Sequence, residues 1–176
     1  MNDTGDQLSP QQHFIELANA YRVASLLQLH QTFPDLNLSV RSTGTLDSDP
    51  AFRALFLLKI TFDLLAILAR IPATSNTRCT HPILYIIAAS GLRFENPPGN
   101  ADYHGLTRCA LEVHRGRRFI LERFASLQQT LPAKPILVAT DLVRAIWSKS
   151  DQQDTDPFHI HWIDVMNESG LCTLFG

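Results

Sequence analysis

His159 and His161 flank Ile160, and Asp164 lies three residues beyond His161, so imidazole and carboxylate groups of the kind that hold zinc stand close together. The spacing suits neighbouring ligands on a strand. On a helix, residues two apart point about 200° away from each other, and no cysteine or second histidine pair accompanies these two. A binuclear zinc cluster needs a full set of closely spaced thiolates, and Cys79, Cys109 and Cys172 are far apart. No metal ligand is assigned, and zinc-cluster DNA binding by this chain alone is excluded.

Nucleophilic chemistry finds equally little support. Ser90-Gly91 lacks the Gly-x-Ser-x-Gly elbow that exposes a nucleophile, and no cysteine has a histidine beside it in sequence. The glycines form neither G-x-G-x-x-G nor G-x-x-x-x-G-K, so there is no phosphate cradle. No catalytic, cofactor-binding or metal residue is therefore assigned, no cofactor is expected, and the chain is read as a non-enzyme. The sharpest charge cluster, His114-Arg115-Gly116-Arg117-Arg118, has guanidinium forks that could meet phosphates. Glu112 and Glu122 flank it on the same predicted helix, so a solvated or salt-bridged face is the better reading. Trp147, Trp162 and Met166 could line a small-molecule pocket at a helix junction, with ordinary core as the simpler alternative.

The elements that must position these residues are all helical. A chain of 176 residues with a 45% apolar share is enough for one domain with a core. The formal net charge of −2 gives no general attraction to nucleic acid or anionic membrane. Three scattered cysteines read as reduced thiols of a nuclear or cytosolic protein, and the acidic, polar start lacks the order of a secretory signal. The most apolar stretch, 54–69, contains Lys59 and Asp63 and falls short of the ~20 residues of a membrane span.

Residues 1–8 are read as a flexible N-terminus, and Ser9-Pro10-Gln11-Gln12 then opens the first helix as a capping box. Phe14, Leu17, Ala18, Tyr21, Leu26 and Leu29 form its expected buried face, and Pro34 stops it. A polar loop from Asn37 leads to Asp49-Pro50, which starts a second helix running to about Ile71. That helix is apolar on most sides, as a central helix would be, and Lys59 and Asp63 pair on its polar edge. Pro82 to Ser90 is a short buried helix, ended by Gly91 in the left-handed conformation. After a Pro-Pro loop to about Asp102 comes a helix with Val113, Ile120, Phe124 and Leu127 inward and Arg118 and Glu122 outward, closed by Pro132. Val138, Leu142, Ala145 and Ile146 mark the next stripe. Asp156-Pro157 starts the last helix, with Trp162, Val165 and Met166 on one face and Gly170 at its end. The apolar tail, 171–176, is expected to pack back on the core. The whole is an all-α fold of about six helices in antiparallel pairs, either an irregular bundle or a superhelix.

Five segments taken together resemble the C-terminal regulatory domain of fungal binuclear-zinc-cluster transcription factors. They are the small-residue helix Ala18 to His30 with its central Tyr21, the Pro-led helix His81 to Gly91, the arginine-aromatic run Arg118 to Arg123, the Trp-ended Val143 to Trp147, and the closing Trp162 to Gly170. The resemblance covers nearly all of the chain but corresponds to only the C-terminal part of a longer family domain, without the zinc cluster. It implies a nuclear regulator, one helical domain over residues 1–176, that tunes transcription through protein partners or self-association, or through a small-molecule effector. It implies no catalytic residue. Helices that pack on absent neighbours would leave an apolar patch exposed.

Overall fold

Prolines and polar linkers cut the chain into helices whose ends are tied by long side chains. The computed structural model describes residues 5–33, 50–94, 108–152 and 160–172. Among them every regular element is helical: α1 (Gln11–Thr32), α2 (Pro50–Arg70), a 3-10 helix (Asn76–Thr80), α3 (His81–Gly91), α4 (Arg108–Gln128), α5 (Ala133–Gln152) and α6 (Trp162–Glu168). The all-α expectation of six helices therefore holds. α1 and α2 run antiparallel, because Arg53 near the start of α2 donates to His30 O near the end of α1 at 2.8 Å, while Arg70 at the end of α2 lies 3.5 Å from Glu16 near the start of α1. The short link 129–132 folds α5 back on α4 in the same way.

The centre of the molecule is α3, not α2 as expected. All of α3 except Ile83 is buried, and it touches α1, α2, α4, α5, α6 and the 3-10 helix. Its C-terminal residues Ala88, Ala89, Ser90 and Gly91 are small, so neighbouring helices approach closely on every side. α2 keeps an exposed edge, on which Lys59 and Asp63 pair at 2.8 Å as expected.

Gly91 has a different role from the one read in the sequence. Among the described glycines only Gly5 and Gly170 have positive φ. Gly91 is the last helical residue, and a Cβ there would lie 2.0 Å from Thr61 Oγ1 of α2. Gly170 does take the left-handed conformation, at φ 63°, and Leu171 N donates to Met166 O behind it. That closes α6 as expected.

Other local readings shift. Pro10, not Ser9, is the N-cap residue of α1, and Gln12 Nε2 donates to Glu16 Oε1. Of residues 1–8, 5–8 are described, and Asp6 and Leu8 hydrogen-bond to Asn76 of the 3-10 helix. Asp6 accepts from Leu8 N and Asn76 Nδ2, and Leu8 O accepts from Asn76 N. These bonds hold the Asp6 carboxyl below its ordinary pKa, the Leu8 amide most of all. In α4, Val113, Ile120, Phe124 and Leu127 are all buried, as their spacing requires. The buried stripe of α5 is Ile136, Ala139, Leu142, Val143, Ile146 and Trp147, rotated so that Val138 and Ala145 lie at its margins. α6 begins at Trp162 with His161 as its N-cap, and the Asp156-Pro157 start lies outside the described residues, as do the loops from Asn37 and to Asp102. Leu171 packs against the core, while residues 173–176 of the tail are outside the described set.

Candidate functional site

α1 carries apolar residues on both of its faces, and the fold buries the smaller set. Glu16, Ala20, Ala24 and Leu27 face the core, and the alanines let α2 and α3 come close. Most of the face expected to be buried points outward instead: Phe14, Ala18, Tyr21, Leu26 and Leu29 are exposed, with Ile15 and Phe33 beside them, while Leu17 is partly buried against the core. Burying the bulky face would require α1 to stand further from α3, losing the tight contact at Ala20 and Ala24. Outward exposure of six large apolar residues on one helix is more than the scattered hydrophobics of an ordinary surface.

A shallow groove of about 360 Å³ runs beside this face, lined by Tyr21, Ser25, Gln28, Leu29, Phe33 and Ile87 among others. Gln28, one of the lining residues, belongs to a hydrogen-bonded ladder. Trp162 Nε1 donates to Gln28 Oε1 at 2.8 Å, Gln28 Nε2 donates to Gln31 Oε1 at 2.8 Å, and Ser90 Oγ reaches the same Gln31 oxygen at 3.2 Å. Tyr21 Oη donates to Thr80 O at 3.1 Å, which holds the phenol ring at the groove's rim. α6, α1 and α3 are thereby joined beneath one apolar face.

The residues singled out in the sequence are dispersed. His161 Nδ1 accepts from Ile163 N at 3.3 Å, and its ring stacks on Trp162; burial lowers its pKa, with Asp164 pulling the other way. His159 lies outside the described residues, and no group of three or more metal-ligating side chains occurs among those described. Cys79 and Cys172 are exposed, Cys109 is partly buried, and none is in a disulfide. Trp147 and Trp162 are core residues with both indole N–H groups satisfied, Trp147 by Ala89 O at 3.0 Å. The basic cluster is split by the helical turn. Arg115 pairs with Glu112, Arg118 with Glu122, and Arg117 turns inward to Asp151. The salt-bridged reading of that cluster is the one the structure carries.

One hydroxyl–imidazole contact has the form of a nucleophile beside a base. Ser75 Oγ lies 3.0 Å from His13 Nδ1, and the chain continues through Thr77 Oγ1 at 2.9 Å to His81 Nε2 at 3.0 Å. Ser75 is 1% exposed and also caps the 3-10 helix by accepting from Thr77 N, so a substrate has no path to it. The chain is a structural tie between α1, the 3-10 helix and α3. Burial pushes the His81 pKa down to about 4, helped by the Arg123 guanidinium and by His13. The folded state therefore refuses a proton that the unfolded chain takes up near pH 6.5, so His81's contribution is intact above that pH and is lost as the pH falls toward 4. Urea unfolding of the wild type should weaken by about 3 kcal/mol across this window relative to a His81→Gln variant, at roughly 1.4 kcal/mol per pKa unit. Parallel pH profiles for the two proteins would contradict it.

A family model described as the fungal specific transcription factor domain matches residues 1–176. The chain belongs to that family. No curated protein and no solved structure matches it. The segments through which the chain resembles this family can now be given physical roles. In the fungal transcription factor domain described here, the Pro-led helix is the central α3, whose Gly91 admits Thr61 of α2. Arg123 of the arginine-aromatic run donates to Ile71 O at 3.0 Å and so caps the end of α2, while Phe119 packs edge-on against Tyr85. Trp147 locks α5 to the end of α3, and Trp162 locks α6 to α1. The family's sequence features hold the scaffold together.

Sequence reasoning identified the outward face of α1 but expected it to be buried, because the helix carries apolar residues on two faces. A signal was present in Ala20 and Ala24, one turn apart, the usual spacing for close helix approach, but Glu16 on the same stripe disguised it.

Proposed function

We propose that this regulatory domain acts in transcription through contacts with other proteins on the outward face of α1, and not through DNA contacts of its own. The exposed row of Phe14, Ile15, Tyr21, Leu26, Leu29 and Phe33 carries the reading. Electrostatics supports its second half. The net charge is −2, and four arginines of α4 and α5, Arg115, Arg117, Arg118 and Arg144, are each paired with a carboxylate, which offsets the basic charge they would offer to phosphates. A nuclear location goes with this role. No helix among the described residues is long and apolar enough to cross a membrane.

Tethering the chain to an unrelated DNA-binding module beside a reporter tests the proposal. Reporter output should change when the chain is tethered, and the untethered chain should show no preference among duplex sequences in fluorescence anisotropy. Sequence-specific duplex binding by the chain alone would overturn it. The groove beside Tyr21 and Gln28 favours a second reading, an apolar small-molecule effector. Such a ligand would raise the melting temperature in proportion to the logarithm of its concentration, and a Leu29→Arg variant would abolish the rise.

A further inference from the structure

We propose that His13, Ser75, Thr77 and His81 form a one-charge latch: the hydrogen-bonded chain that ties α1 and the 3-10 helix to α3 holds a positive charge at one of its two histidines and opens when both are charged. The latch makes the attachment of α1 sensitive to acid, whatever occupies the outward face of that helix.

A count of hydrogens carries this. The chain has three links, from His13 Nδ1 to Ser75 Oγ at 3.0 Å, from Ser75 Oγ to Thr77 Oγ1 at 2.9 Å, and from Thr77 Oγ1 to His81 Nε2 at 3.0 Å. Each link uses one hydrogen. The two hydroxyls supply one each, so the third comes from the nitrogen at one end while the nitrogen at the other end accepts. With both histidines neutral the chain can run in either direction, according to which ring nitrogens carry their protons. A proton on His13 selects one direction. His13 Nδ1 then donates to Ser75, Ser75 to Thr77, and Thr77 to a His81 Nε2 that bears no hydrogen. All the links survive, and the first becomes a charge-assisted bond.

A second proton, on His81, brings one hydrogen too many. Ser75 Oγ also accepts from Thr77 N at 3.3 Å, so with His13 donating to it both its lone pairs are taken. Its own hydrogen goes to Thr77 Oγ1, which must now accept from His81 as well. The Thr77 hydroxyl hydrogen is then left without an acceptor in the chain, and Thr77 at 5% exposed and His81 at 1% have almost no access to water. That orphaned donor and the two like charges together open the latch.

The surroundings decide which histidine is charged last. His81 begins α3 with its ring edge-on to Tyr85, and burial opposes a charge on it, as do the Arg123 guanidinium of α4 and His13 of α1. The Tyr85 hydroxyl, pushed up to about 12 by burial, stays neutral throughout. His13 is only half-buried. Glu16, one turn further along α1, is already paired with Arg70 of α2; on the 3-10 helix Arg78 donates to Ser75 O at 3.3 Å, and Asp6 accepts from Asn76. The latch therefore opens as His81 takes up its proton. Thr80 immediately precedes His81, and its carbonyl holds Tyr21 Oη of α1 at 3.1 Å, so opening also loosens the rim of the groove.

Long-range proton–nitrogen NMR of the full chain with isotope-labelled histidine reads each ring nitrogen as the pH is lowered. Once His13 is charged, His81 should be neutral with a bare Nε2, and the Thr77 amide should stay protected from hydrogen exchange until His81 itself is charged. His13→Gln supplies an amide that can accept at that end and brings no charge. His81 should titrate about one pH unit higher in this variant, a roughly tenfold easier protonation. Thr77→Val removes the middle of the chain, and the His81 tautomer should no longer follow the state of His13. If Thr77→Val does not fold, His13→Gln decides alone, since it changes only a half-buried end. An unmoved His81 titration in His13→Gln, a His81 tautomer that still follows His13 in folded Thr77→Val, or a wild type with both histidines charged and the Thr77 amide still protected would each overturn the latch.

Discussion

Replacing Gly91 by alanine is expected to lower stability by about 2–3 kcal/mol, although alanine is the better helix former by up to ~1 kcal/mol. The new Cβ would lie 2.0 Å from Thr61 Oγ1, 3.1 Å from Thr61 Cβ and 3.2 Å from Thr61 Cγ2. Thr61 is fully buried and its hydroxyl donates to Leu57 O at 2.8 Å, so it cannot swing into solvent to make room. α2 and α3 must then separate, and α3 is in contact with every other helix. For a chain of this length the loss corresponds to a fall of about 4–12 °C in Tm, measurable by circular dichroism. Thr61→Ala in the same protein should recover much of it, since removing the hydroxyl opens space for the methyl group. A double-mutant cycle with a coupling of about 1–2 kcal/mol is expected. Simple additivity would show that the clash relaxes elsewhere.

Arg117→Leu should cost about 3 kcal/mol. The guanidinium makes a bidentate pair with Asp151 at 2.7 and 2.8 Å and donates from Nε and Nη2 to Leu92 O at 3.2 and 2.9 Å. It also lies over the rings of Phe94 at 4.4 Å and Trp147 at 5.1 Å. Its side chain is only 12% exposed. Leucine supplies apolar volume but leaves Leu92 O without its donor and Asp151 without its counter-charge, and removing one partner of a buried pair is costly for that reason. Asp151→Asn should cost less, because Asp151 is 38% exposed and water can replace part of the interaction. Arg117→Lys should fall between, keeping the charge and losing the fork and the stacking. Urea midpoints with unchanged slopes would check all three. Equal losses for Arg117→Leu and Asp151→Asn would place the stability in the ion pair and not in the carbonyl and ring contacts.

Much of the scaffold was legible from local chemistry. Pro50 and Pro82 mark helix starts, Gly170 ends α6 with positive φ, and Val113, Ile120, Phe124 and Leu127 are buried as their spacing demands. Ion pairs one turn apart, Lys59 with Asp63 and Arg118 with Glu122, form as expected because the helix itself brings the partners together. What sequence patterning left undetermined was rotation and approach. Arg117 lies four residues after Val113 and three before Ile120, so it belongs to the buried stripe, yet as one of three arginines in a basic run it reads as a surface residue. Gly91 looks like a helix stop, and only the packing of α2 on α3 shows that it is a contact point. α1 has two apolar faces, and hydropathy cannot choose between them; the choice is made by Ala20 and Ala24, which permit the closer packing. The candidate site was for that reason the least legible part of the chain.

On the proposed function, the outward face of α1 is kept apolar for contact and not for folding. A tethered reporter assay on a Leu26→Glu/Leu29→Glu double variant, paired with its melting curve at low protein concentration, separates the two roles. Both side chains are already exposed, at 45% and 43%, so the variant should melt within about 1–2 °C of the wild type, as surface substitutions do. Its effect on the reporter should be lost. A variant that unfolds would show that the face is needed for folding, and one that stays folded and regulates the reporter as the wild type does would show that it is not the contact surface.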